Sequence, residues 1–520
     1  MKKIKYIFII LLVGIMQSCD WMDLTPEDQY SIDNYWNSKD QVDRFIRGLH
    51  GRFRSRQDIF LKMGEFRGGM FDTGLTTPFA QTKSDLNIIS NDLSLEHPGI
   101  TNFGNLYLDI MQINHAIDRL SSITFLSESD KNYDLGILYG LRGYYYFHLF
   151  RTYGGVPKLD YPKVLDGVES AGELNLARSS ETEIYDFVKG DVEKSADYFA
   201  DDNYSVGADK SAYWSKAATQ LLKAEVLLWG CKVKPIGGSQ VYSSNVTTDL
   251  QTAKTILLEV KAKYDYLTNF TSVFATTNKD NKEMIFCIRY NLTEATNGFN
   301  KYLYPEANGN AGGYENADGS IVYGTTAGYA ADFLNLASSG AAYNYQYSGN
   351  TYDSFSAEDT RRDATFIDLY KKNTNPRQRA VLMTKFLGEI SEGYRKFTND
   401  WPVYRYMDVV LLLAEVEDAL GGDPATYINE VRQRAYGANY VAHKYPHNGE
   451  TAEDAILEER TKEFVAEGKR WYDIRRMKNG TLALELQGTL DAASKEKHLL
   501  WPIDNSTLQN DPLLEQTEGY

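Results

Sequence analysis

The strongest constraint on this fold is a succession of apolar residues at helical spacing on both sides of an irregular middle. Residues 38–57 (SKDQVDRFIRGLHGRFRSRQ) place Val42, Phe45, Ile46 and Leu49 on one face behind a Ser38 cap. Further helices are predicted near 103–120, 132–152, 181–199, 212–232 and 249–263, and Gly154-Gly155-Val156-Pro157 ends the second of these. Helical spacing resumes after about 402, with Pro402 at a helix start and the pattern running to Gly421-Gly422. Asp423 then caps a helix that has Pro424 at its first position. Thr451 and Asp454 predict a capping box that opens one long helix over 452–478.

These helices fall into neighbouring pairs with aromatic and small residues on their inner faces. Pairs of this size predict helical-repeat packing of the tetratricopeptide kind. The middle is different. Residues 283–290 (EMIFCIRY) read as a strand, and 297–356 are rich in Gly, Asn, Ser and Tyr with little helical periodicity. A loop region of that length is functional or disordered, and its aromatics argue for order. Residues 58–100 are also irregular, with Gly68-Gly69, Gly74, Pro78 and Pro98-Gly99. The expected fold is mostly α, with a tetratricopeptide-like scaffold over 35–265 and 402–480. A loop-rich insertion at about 283–400 carries a few short strands.

The N-terminus reads as a targeting segment. Lys2, Lys3 and Lys5 precede the apolar run YIFIILLVGIM, which is too short to span a bilayer and ends at Met16-Gln17-Ser18-Cys19. A small residue before a cysteine at the end of such a run matches a lipobox. Residues 1–18 are therefore expected to be a lipoprotein signal peptide, Cys19 the lipid-bearing residue and 19–34 a tether. A multiply acylated cysteine holds a soluble body at a membrane, at about 0.8 kcal/mol per buried methylene. No later stretch is apolar enough to cross a bilayer.

Loss of residues 1–18 takes the formal charge from −16 to −19. Such a surface repels nucleic acid. Cys231 lies in a helical pattern and Cys287 in the strand-like run. Burial as free thiols is the plain reading, and an oxidising compartment leaves a disulfide open. The 38 tyrosines suit half-wet packing and ligand-binding surfaces alike.

Several constellations mimic chemistry. Glu459, Glu463 and Glu467 share one helical face, with Arg460 and Arg470 each three residues from one of them, which predicts a structural ion-pair ladder. His443 and His447 are four apart, but Pro446 interrupts the helix that would align them for zinc. Asn316-Ala317-Asp318-Gly319 is part of a calcium-loop pattern without its opening and closing ligands, so a turn is expected. Nucleophile-elbow, phosphate-loop and dinucleotide patterns are absent. Nothing among the 71 acids selects a glycosidase pair. No catalytic residue, metal ligand or cofactor is assigned.

Separate blocks of the chain resemble the SusD/RagB family of outer-membrane lipoproteins. They are the start CDWMDLTPEDQY, residues 35–49 (YWNSKDQVDRFIRGL) and residues 139–160 (YGLRGYYYFHLFRTYGGVPKLD). Toward the C-terminus they are 401–420 (WPVYRYMDVVLLLAEVEDAL), 428–435 (INEVRQRA), 456–477 (ILEERTKEFVAEGKRWYDIRRM) and the tail LLWPIDNSTLQNDPLLEQTEGY. Asp511 stands where Asn is usual, and Phe103 where the family often has Trp.

The resemblance implies tetratricopeptide-like helix pairs with a loop-rich ligand-binding half laid on them. It also implies a non-catalytic lid on a SusC-like TonB-dependent barrel that captures oligosaccharide or oligopeptide and touches the membrane only through its N-terminal lipid. The rival readings are a lipid-anchored hydrolase of the same nutrient and a structural or adhesin-like surface protein. The candidate ligand contacts lie in two segments. Arg67, Asp72, Phe79, Asn102 and Phe103 occupy 65–103, where the family's loops help line the site. Tyr302, Tyr304, Tyr314, Tyr323 and Tyr345 belong to the aromatic insertion. Tyr343, Tyr345 and Tyr347 alternate, so a strand would set all three on one face.

Overall fold

The computed structural model describes residues 35–72, 83–101, 103–167, 170–204, 209–299, 314–320, 325–326, 329–330 and 346–520. Helix α1 (Lys39–Arg54) begins at Ser38, whose hydroxyl accepts the Gln41 N–H, and buries Val42, Ile46, Leu49 and Phe53. It is followed by α2 (Gly104–Ser122), α3 (Glu128–Tyr153), α4 (Glu181–Tyr198), α5 (Lys216–Lys232) and α6 (Val246–Lys261). From α2 to α6 each helix packs on the next.

Helix α3 is the core of this succession. From Asp134 to Tyr153 nearly every side chain is buried, as a helix apolar on all faces requires. Its polar groups are satisfied across helices. Arg142 makes a bidentate pair with Asp191 of α4, both bonds 2.7 Å, and donates to Asn114 of α2 at 2.8 Å.

The irregular middle leaves and re-enters the scaffold at one place. Strand β1 (Met284–Ile288) pairs antiparallel with a later strand, Trp401–Arg405, in a register from Met284 opposite Arg405 to Ile288 opposite Trp401. Between them lie β2 (Tyr314–Glu315), β3 (Phe366–Lys371) and β4 (Gln378–Met383), which form an antiparallel sheet in the order β2-β3-β4. The strand Trp401–Arg405 is β5. Helices α7 (Tyr406–Ala419), α8 (Ala425–Tyr436), α9 (Ala452–Glu463) and α10 (Arg470–Arg476) follow, and α7 packs against α6, α8 and α9.

Two expectations are corrected here. Pro402 does not start a helix: it lies in β5 opposite Cys287, and the helix begins four residues later at Tyr406. A two-stranded ribbon tolerates proline because each strand has an edge without ladder partners. The long helix expected over 452–478 is two helices. Thr451 does cap it, accepting the Asp454 N–H at 3.1 Å, but Ala466 and Gly468 at φ +61° and +71° break it after Glu463.

The break also changes the partners of the glutamate row. Glu463 accepts from Arg361 at 3.2 Å, from Arg405 at 2.5 Å and from Arg434. Glu459 accepts from Arg361 and Arg432, each at 2.8 Å. Glu467 accepts from Lys385 at 2.5 Å and from Arg405. Arg460 pairs with Asp473 instead, and Arg470 donates to Thr461. The ladder is buried, as expected, but it is a network that joins the insertion, β5 and α8 to α9, and its partners are not the two nearby arginines. Burial pushes the Glu463 carboxyl up, but Arg434, Arg405 and Arg361 outweigh it and hold it well below its ordinary range.

Candidate functional site

The two segments expected to carry ligand contacts meet in one layer. A short helix, Gln57–Leu61, passes into a π-helical turn, Lys62–Phe66, that buries Glu65. Glu65 accepts from the Tyr347 hydroxyl at 2.7 Å, from the Ala466 N–H at 2.7 Å and from the Gly468 N–H at 2.8 Å. Burial raises its pKa, and these bonds pull it back. Close approach of the two backbones needs Gly64, where a Cβ would stand 1.7 Å from the Gly468 carbonyl oxygen.

Beyond this anchor the chain becomes a sheet edge. Phe71 stacks on Tyr347 at 4.5 Å, and bridges run from Phe71 to Tyr347 and from Tyr347 to Val381 of β4. The Asp72 N–H donates to the Gln346 carbonyl at 2.9 Å, and the Ser348 N–H to that of Met70 at 2.8 Å. Residues 70–72, 346–348, β4, β3 and β2 therefore form one continuous layer. Asp72 immediately precedes residues 73–82 in the chain, Gln346 immediately follows residues 331–345, and the two positions are joined by a hydrogen bond.

On and beside this layer aromatic rings lie against guanidinium groups. The Arg377 guanidinium lies 4.5 Å from the Tyr370 ring and donates to Glu315 at 2.7 Å. Arg379 forms paired bonds to Asp353 (2.7 and 2.8 Å) and Asp368 (2.7 and 3.0 Å). Tyr352 lies 5.1 Å from Arg362 and 5.3 Å from Arg379. Hydrogen bonding to Arg379 holds the Asp353 carboxyl below its ordinary value. Flat rings held by guanidinium groups, beside carboxylates, suit stacking and hydrogen bonding to a polar ligand.

The predicted contacts divide three ways. Cys19, Phe79, Asn102, Tyr302, Tyr304, Tyr323 and Tyr345 lie outside the described residues. Asp72 lies at the edge of the layer, half-buried. Arg67 is corrected: fully buried, it donates to Asn91, Gln487 and the carbonyls of His498 and Leu499 and lies 4.3 Å from the Trp471 ring. Its guanidinium is spent on holding the tail.

Tyr314 is also corrected, since β2 buries its side chain to 1% exposure while Glu315 faces outward to Arg377. Phe103, at 2% exposure, packs edge-on against Tyr153 at 5.0 Å. It forms part of the floor of a separate apolar cleft of about 240 Å³, with Tyr107, Met111 and Leu176. Tyr347, placed by alternation on a common face with two others, points inward to Glu65.

Tyr370, Arg377 and Arg379 were not singled out from the sequence. The signal for them is the two-residue spacing of Arg377 and Arg379 at the start of β4, where Arg379 lies opposite Tyr370. Cys231 and Cys287 are both buried and free. His443 is held by Glu358 at 2.7 Å and stacks on Tyr436. Asn316–Ser320 is a tight turn, closed by the Ser320 carbonyl accepting from Asn316. Among the described residues no helix is long and apolar enough to cross a membrane, and no three His, Cys, Asp or Glu side chains are placed to hold a metal ion.

Comparison with known proteins matches both ends of the chain to family models. Residues 369–520 match the SusD family, and residues 20–223 match a SusD-like model described as starch-binding associating with outer membrane. The SusD-like protein P38 of Formosa agariphila is 24% identical over 561 residues, covering all of both chains. A SusD superfamily protein of Bacteroides fragilis NCTC 9343 is 35% identical, with 94% of this chain and 100% of that one covered and a TM-score of 0.78. B. fragilis NanU is 33% identical, with 95% and 99% covered and a TM-score of 0.80. Identity at that level over nearly the whole length makes this chain a member of the SusD/RagB family.

Proposed function

We propose that this protein is a non-catalytic, surface-exposed lipoprotein that captures an oligosaccharide or oligopeptide as the lid of a SusC-like TonB-dependent transporter. The observation that carries the binding role is the junction of Asp72 with Gln346. It joins two irregular segments, distant in sequence, to a layer faced with tyrosines and arginines. The family and the starch-binding description of one matching model put glycan before peptide. Residues 1–18 would be removed on export, Cys19 acylated, and residues 19–34 would tether the body to the outer membrane. Asp72 and the aromatic residues of the insertion, Tyr302, Tyr304, Tyr323 and Tyr345 among them, are the proposed contacts.

The test is calorimetry of the purified protein against glycan and peptide panels, with product analysis of every mixture. A bound ligand recovered intact supports the reading. Tyr370→Ala should weaken that binding about ten-fold, since one aromatic stacking contact is worth roughly 1–1.5 kcal/mol. Sustained turnover would favour the hydrolase, and binding unchanged in Tyr370→Ala would remove this layer from the site.

A further inference from the structure

A second cleft, of about 380 Å³, lies between one face of α1 and the residues around β1. Arg47, His50, Gly51 and Arg54 line it at i, i+3, i+4 and i+7, so a single helical face forms the wall. Gly51 is mid-helix, where glycine costs about 0.5–1 kcal/mol relative to alanine. No neighbour demands it, because a Cβ there would meet nothing within 4 Å. What its missing side chain does is leave the floor open between Arg47 and Arg54.

The opposite wall is held rigid. The Arg289 guanidinium donates to Asp209 at 2.6 Å, Asp280 at 2.8 Å and Asp400 at 2.9 Å. Asp209 and Asp280 both adopt left-handed backbone, at φ +57° and +52°, to reach it. Lys279 donates to Asp400 at 3.0 Å. His50 is fixed and neutral: its Nε2 accepts the Trp214 N–H at 3.0 Å, so its Nδ1 donates to the Ile46 carbonyl at 2.9 Å. Tyr213 packs edge-on to His50 at 5.1 Å and offers a half-buried ring to the cleft.

The charges here are unequally engaged. Asp209, Asp280 and Asp400 surround Arg289 and Lys279 with three carboxylates, and Glu294 takes one terminal nitrogen of Arg54 at 2.8 Å. Arg47 forms no ion pair or hydrogen bond with any described residue. The cleft thus combines a rigid polar wall, an aromatic ring, carboxylates at its rim and one available guanidinium, in a chain of net charge −16. A ligand that satisfies all of these carries hydroxyls, a ring with an apolar face and a carboxylate.

We propose that this cleft binds a sugar-acid residue of an acidic oligosaccharide, with Arg47 pairing to its carboxylate and Tyr213 supporting its ring. This rests on the glycan reading above and sharpens it to acid-bearing saccharides. Carboxylate pairing with a guanidinium is bidentate and geometrically selective, so a neutral sugar of the same size fits less well.

The experiment is calorimetry of the purified full-length protein in detergent with an oligogalacturonate and with its neutral galactose counterpart of equal length. The acid should bind at least ten-fold more tightly. Arg47→Ala should abolish that preference with an unchanged melting temperature, and Arg47→Lys should restore part of it. Arg44→Ala, one turn away and paired with Asp40, should change nothing. Equal binding of both saccharides, or an Arg47→Ala variant that keeps the preference, overturns the assignment. If only the neutral saccharide binds, the sugar-acid site fails and the glycan reading stands. If neither binds and peptides do, both fail.

Discussion

Glu65 is a buried carboxylate whose three donors come from the insertion and from the break after α9. Removing one donor leaves the others to hold the charge. Tyr347→Phe should therefore destabilise the protein by about 1–3 kcal/mol, read as a lowered denaturant midpoint. Asp134, in the second turn of α3, is the opposite case. Its Oδ2 has no hydrogen-bond partner among the described residues, and burial raises its pKa to about 7, with Lys39 opposing and Asp43 and Asp130 adding to the rise. The folded state then holds a proton between about pH 4 and 7 that the unfolded chain has released. Stability should fall as pH rises through that window. Asp134→Asn should flatten this slope and stabilise the protein at pH 8 by roughly 1–3 kcal/mol, as denaturation at several pH values would show. Individual roles of this kind were poorly legible in the sequence. Arg67 reads as a polar residue in a glycine-rich segment, and only the tertiary fold brings it to Trp471, Gln487 and His498, over 400 residues later.

Elements were legible where periodicity was long. The helices α1 to α6 begin and end within a few residues of their predicted bounds, because capping residues such as Ser38 and Ser180 and a glycine stop at Gly154 mark them locally. Short elements were not, since their state is set by a distant partner. The strand β5 exists because β1 pairs with it, and α9 stops where Ala466 and Gly468 turn back to meet Glu65. The glutamate row illustrates the same point: spacing predicted ion pairs, but Arg361, Arg405 and Arg434 come from other elements. Glu463→Gln should cost roughly 3–5 kcal/mol, the usual penalty for leaving buried charges without their partner. An exposed exchange such as Glu518→Gln should cost under about 0.5 kcal/mol. Equal effects in chemical denaturation would show that the network is not part of the core.

For the whole molecule, the stacked helices form a scaffold on which one β-layer gathers segments from all three thirds of the chain, 70–72, 314–315 and 366–383 among them. Its architecture was legible from helix pairing. Which residues face a ligand was not, because burial decides it: Tyr314 and Tyr347 look like their neighbours in sequence and point inward. The proposed lid needs an anchor as well as a binding face. Cys19→Ala should release the protein from the membrane fraction of cells lacking a barrel partner, and persistence there would refute acylation at Cys19 as its anchor. The most direct test of the lid role is affinity isolation of the tagged protein from outer membranes in mild detergent. A transporter lid should co-isolate with a TonB-dependent barrel, with nutrient bound intact between the two. Recovery of the lipoprotein without any such barrel would contradict it.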